Sequence, residues 1–207
     1  MSVSAMQRHI EGEIGAAFQT LGLVPVRPGL CWSCREERTL MAEVVFLSRS
    51  QADYFGTSTA SFGIEFGGFY GSLDALRETK GFPAACFCQV RGSLWRDYAQ
   101  AAPLADLPAP EHKRRDLWWV NGGGESLPRA VDSAVRVVKG ELPRWLSRLE
   151  DYKSLAWRLL LRGESPQGLW GFGAKGSPAR RTLQRVILPF LPPQSLIAWL
   201  TRRVVRI

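Results

Sequence analysis

Four cysteines stand in two close pairs, Cys31-x-x-Cys34 in "CWSCREERTL" and Cys86-x-Cys88 in "ACFCQV". Four thiolates would complete a tetrahedral zinc site, and a single CxxC can also be a redox pair. On a strand, alternate residues share a face. Cys86 and Cys88 then point the same way, whereas Cys31 and Cys34 point to opposite faces unless a bulge intervenes. No glycine-rich knuckle follows either pair, and "REERT" does not read as the helix that a thioredoxin-like motif would open. The thiols are therefore read as packing residues, with zinc binding and redox chemistry as the alternatives. No metal ligand and no cofactor is assigned.

Other catalytic chemistries find little material. The two histidines, His9 on a helical stretch and His112 beside "KRR", have no G-x-S-x-G elbow or H-E-x-x-H motif near them. Glu36, Glu37, Glu43 and Glu65 read as exposed positions on alternating strands. "GFGAKG" (171–176) matches G-x-G-x-x-G, but no strand precedes it and no acidic residue follows Glu164 to hold a ribose. A dinucleotide site is rejected, no catalytic residue is assigned, and the chain is expected not to be an enzyme. Ser177 and Pro178 do fit a helix start, where backbone N–H groups near Lys175, Arg180 and Arg181 can hold an anion.

Charge is more informative by location than by total. The net +8 arises wholly after residue 150: residues 1–150 hold 17 Lys+Arg and 17 Asp+Glu, and residues 151–207 hold 10 and 2. Two apolar stripes lie in that region. Leu183, Val186, Ile187, Phe190 and Leu191 form one, and Leu196, Ile197, Trp199, Leu200, Val204 and Ile207 the other, with Pro192 and Pro193 between them. Lys175, Arg180, Arg181, Arg185, Arg202, Arg203 and Arg206 accompany them as candidate anion-binding residues. The stripes either pack on the domain with the arginines in water, or dock on nucleic acid or an anionic membrane surface. The longest apolar run, 186–200, contains three prolines and does not suit a spanning helix. The N-terminus lacks the pattern of a secretory signal, so a cytoplasmic protein is expected.

These residues need elements to position them. Met6, Ile10, Ile14, Phe18 and Leu21 recur at helical spacing, with Ser4 as N-cap and Gly22 as terminator. "LCWSCRE", "LMAEVVFLSRS", "TASFGIEFGGFY" and "ACFCQVRGSLW" read as strands, and Phe62, Ile64 and Phe66 alternate as on a half-buried one. No early connection looks like a long crossover helix, so the fold expected is α+β. It has an antiparallel meander of about four to six strands, an N-terminal helix and C-terminal helices. "DLWWVN" reads as a short edge strand. Residues 126–160 read as two helices broken near Pro143, with Leu146, Leu149, Leu155, Leu159 and Leu160 as apolar positions. The expected division is an α+β domain over 1–165, then a Gly-rich linker and basic helical extension over 166–207.

A helix ending in "LGL", the strand "EVVFLSRS", the Gly-bearing strand "FGIEFGGFY", then "CFCQVRGSL" and a Trp-Trp pair occur in this order. The order resembles the bacterial family catalogued as domain of unknown function 4304, over residues 6–160. The Cys-x-x-Arg strand and "WW" segment of that family fall here on Cys88, Arg91, Trp118 and Trp119. The resemblance implies a helix–meander core and no reaction; some such domains are immunity proteins encoded beside toxin genes. The Pro-rich loop 101–115 leads into "HKRRDLWW", whose Lys113, Arg114, Arg115, Trp118 and Trp119 are candidate partner-binding residues, since Trp and Arg dominate interface hot spots. The expected function is binding to a cognate protein partner, most concretely a toxin. The alternative is nucleic acid or an anionic membrane, bound through the basic C-terminal region.

Overall fold

The computed structural model describes residues 1–35, 38–70, 84–85, 88, 90–96, 114–150 and 169–170. Helix α1 spans Val3–Thr20 and presents Met6, Ile10, Ile14 and Phe18, all fully buried, on one stripe. Each such burial contributes roughly 1.5–3 kcal/mol, which is why this face and not local propensity holds the helix in place. The N-cap is Ser2, not the expected Ser4, and its Oγ accepts from the Ala5 N–H at 3.3 Å. The helix thus starts earlier than the apolar stripe alone suggested, because the cap two residues upstream reaches the first free N–H groups. Gly22, at φ +80°, turns the chain out of it.

The strands are β1 (Val24–Arg27), β2 (Leu30–Arg35), β3 (Arg38–Phe46), β4 (Phe62–Tyr70), β5 (Val90–Ser93), β6 (Leu117–Trp118) and β7 (Leu169–Trp170). Their order in the antiparallel sheet is β1-β2-β3-β4-β5-β7, and β6 pairs with β4. The fold is α+β, as the run of short strands after one helix requires. On β4, Phe62, Ile64 and Phe66 are fully buried and alternate with Gly63 and Glu65. Gly63 sits where a Cβ would lie 3.1 Å from the Asp116 carbonyl, so its lack of a side chain lets β6 come alongside β4. The pair is antiparallel, with Phe62 opposite Trp118 and Gly63 opposite Leu117.

Helix α2 (Arg49–Phe55) follows β3 and was not among the expected elements. Its signal is Ser48-x-x-Gln51: the serine hydroxyl accepts from the Gln51 N–H while the Gln51 side chain accepts from the Ser48 N–H. Gly56, at φ +66°, closes it. Helix α3 runs unbroken over Leu127–Glu150 with Pro143 inside it, which corrects the expected break. Proline removes one hydrogen bond from the ladder. The buried run Val131, Ala134, Val138, Leu142 and Leu149 continues on both sides of it at helical spacing and outweighs that loss. The helix expected after residue 150, with Leu155, Leu159 and Leu160, lies outside the described residues, as does the 166–207 extension except for Leu169–Trp170, which form β7 where a linker was expected.

The chain divides into two compact units. One comprises 1–33, 41–66 and 93–145; the other comprises 34–40, 67–92 and 146–207. In the first, α1 and the start of α3 supply buried side chains, Trp118 donates to Ser133 Oγ at 3.2 Å, and Phe66 meets Trp145 with ring centroids 5.4 Å apart. In the second, β5 pairs antiparallel with β7, Arg91 opposite Trp170 and Gly92 opposite Leu169. Thr39 Oγ1 there donates to Cys34 Sγ at 3.6 Å.

Candidate interaction surface

The surface is built around α2 and the segment leading into β6, all within the first unit. Successive residues of β6 and its extension serve different layers. Trp118 stacks on Phe62, whereas Leu117 and Trp119 form a small buried cluster with Leu47 and Ala52. Phe55, the last residue of α2, packs on that cluster from above and meets the Trp119 ring edge-on at 5.3 Å. Tyr54 crosses Phe55 at 5.0 Å and is 79 % exposed.

A cation is fixed over this aromatic group. The Arg114 guanidinium lies 5.7 Å above the Phe55 ring centre, a cation–π distance. Asp116 holds it by accepting from Nε at 2.9 Å and Nη2 at 2.8 Å. Burial alone would push the Asp116 carboxyl up, but those two bonds and the Arg114 charge outweigh it and hold the group below the usual carboxylate range. Arg96 ties the next segment in: its N–H donates to the Arg115 carbonyl at 2.8 Å and its Nη2 to the Arg114 carbonyl at 3.1 Å. Its neighbour Trp95 is 50 % exposed. Exposed aromatic rings thus stand on two segments, each bonded to or packed on the one that carries Arg114.

Of the candidate partner-binding residues, Arg114 belongs to this surface and Arg115 is exposed beside it. Trp118 and Trp119 are buried, 1 % and 8 % exposed, so their rings pack the interior on either side of β6 instead of standing on the surface. Lys113 lies outside the described residues. So do Lys175, Arg180, Arg181, Arg185, Arg202, Arg203, Arg206, the "GFGAKG" segment, Ser177, His112, Glu36, Glu37 and Cys86. Sequence reasoning missed Tyr54, Phe55, Trp95 and Arg96. The capping box before α2 could have found the first two, because it fixes a helix whose last turn carries both.

The thiols follow the strand period. Cys31 is buried, its thiol pushed up by that burial, and Cys34 is exposed; Cys88 is buried. Among the described residues no three His, Cys, Asp or Glu side chains come together as a metal site would require. His9 is exposed on α1. Glu43 corrects an expectation: it is 7 % exposed and ion-paired with Arg27, because β1 lays that arginine beside it. Among the described residues no helix is long and apolar enough to cross a membrane.

No protein-family model, no curated protein and no solved structure matches this chain.

Proposed function

We propose that this protein is not an enzyme but a cytoplasmic binding protein whose ligand is another protein. The contact is made through Tyr54, Phe55, Trp95 and Arg114. The observation that supports it is the exposure of Tyr54 and Trp95 on segments that share a fixed arginine. Such side chains bring large apolar area at little entropic cost, and Trp, Tyr and Arg are the residues enriched in interface hot spots. Arg114 is pre-organised by Asp116, so little further ordering is needed on binding. The resemblance to the domain of unknown function 4304 family narrows the reading to an immunity-type protein that neutralises a cognate toxin.

The test begins with co-purification of a stoichiometric partner from the native cell, or with the product of the adjacent gene. That partner is then titrated against Tyr54→Ala and Trp95→Ala. Each change should weaken binding about tenfold or more, with the melting temperature unmoved. Unchanged affinity in both would end the proposal for this surface. The second reading, nucleic acid or an anionic membrane held by the basic C-terminal region, is supported by the confinement of the excess charge to residues 151–207. Its mark is retention on either material that falls steeply with salt.

A further inference from the structure

We infer that the Trp119 indole N–H is the donor this surface offers its partner, and that the partner segment it takes presents a carboxylate beside an apolar side chain. This rests on the protein-binding reading above. The two adjacent tryptophans differ in one respect. Trp118 donates its indole N–H to Ser133, whereas the Trp119 Nε1 is buried with no hydrogen-bond partner among the described residues. A buried tryptophan N–H ordinarily finds an acceptor, because leaving it without one forfeits its hydration for nothing in return. The Trp119 ring meets Phe55 edge-on, next to the surface already described, and an acceptor from a bound protein recovers that deficit.

Arg114 determines what kind of acceptor this is. Asp116 occupies its Nε and one Nη2 donor, and Nη1 makes no hydrogen bond among the described residues. A guanidinium with a donor edge to spare favours an anionic oxygen over a neutral one. Phe55 is the partly buried ring packed on the cluster that holds Trp119, so we place access at that ring. Helix α2 has seven residues, too few to be stable alone, and Ala52 and Phe55 are the residues that pack it onto the small cluster. Its opening therefore draws on the low end of local stability, and an apolar partner side chain can replace the Phe55 ring on Trp119.

The experiment uses the full chain labelled with ¹⁵N, with the Trp119 indole resonance assigned by Trp119→Phe. Two probes are titrated, acetyl-Leu-Glu-Leu-amide and acetyl-Leu-Gln-Leu-amide. The glutamate peptide should move the Trp119 indole resonance to lower field and saturate with a Kd on the order of 1 mM. It should bind about threefold tighter than the glutamine peptide, and Arg114→Gln should erase that preference. If the peptides shift Tyr54 and Trp95 resonances but leave the Trp119 indole still, the donor assignment is wrong and the surface stands. If they shift nothing here, the carboxylate-bearing segment is wrong. The broader protein-binding reading is decided separately by the Tyr54 and Trp95 variants with the native partner.

Discussion

Trp118 lies flat against Phe62, with ring centroids 5.7 Å apart and planes inclined by only 13°, and the two residues are direct partners in the β4–β6 pairing. The stack closes a two-residue strand onto the sheet, and the Trp118 N–H anchors it to α3 through Ser133. Trp118→Ala should therefore cost about 3–5 kcal/mol, the range for emptying a buried aromatic site. Tyr54→Ala, on the exposed rim, should stay within about 0.5 kcal/mol of the parent. Chemical denaturation of both variants checks the contrast.

The Arg114–Asp116 pair gives a pH dependence of defined sign. Asp116 titrates below its ordinary value of 3.8 in the folded protein, so the folded state favours the ionised form. Its contribution is fully present above the unfolded value and is lost as pH falls through the lower folded one. Asp116→Asn should lower stability by about 1 kcal/mol at neutral pH, and the gap to the parent should close below about pH 4. Parallel urea titrations at several pH values measure it; a gap that widens in acid would refute the assignment.

The two described cysteines of the CxxC motif should react at very different rates. Cys34 is exposed, whereas Cys31 is buried and holds its proton more tightly than usual. Alkylation of the native protein, read by peptide mass mapping, should label Cys34 first and spare Cys31 until denaturant is added. Equal labelling in the native state would contradict the burial.

Gly124 combines φ +84° with a position where a Cβ would lie 3.0 Å from the Met6 sulfur on α1. Gly124→Ala adds a left-handed backbone penalty to a steric one and should cost more than about 1–2 kcal/mol. Gly56→Ala carries the backbone penalty without the contact, since a Cβ there meets nothing within 4 Å. It should be the milder of the two, by thermal melts of both proteins.

The sequence by itself determined what depends on period and punctuation. Met6, Ile10, Ile14 and Phe18 set the buried stripe of α1, Phe62, Ile64 and Phe66 the buried face of β4, and the spacing of Cys31 and Cys34 their opposite exposures. Each follows from neighbours within one element. Local signals also misled where the deciding term was remote. Pro143 reads as a helix break until the buried side chains flanking it are counted, and Glu43 reads as exposed until β1 lays Arg27 against it. Trp118 and Trp119 look alike in the sequence. Strand alternation separates them, yet only tertiary packing decided that Trp118 would have Phe62 and Ser133, and Trp119 the ring of Phe55 and no acceptor among the described residues. Apart from Arg114, the surface was illegible for the same reason. Tyr54, Trp95 and Arg114 are far apart in the chain, and what joins them is the Arg96 bonds to the 114–115 backbone and the seat of Arg114 on Phe55. Those are long-range contacts, and no local pattern encodes them.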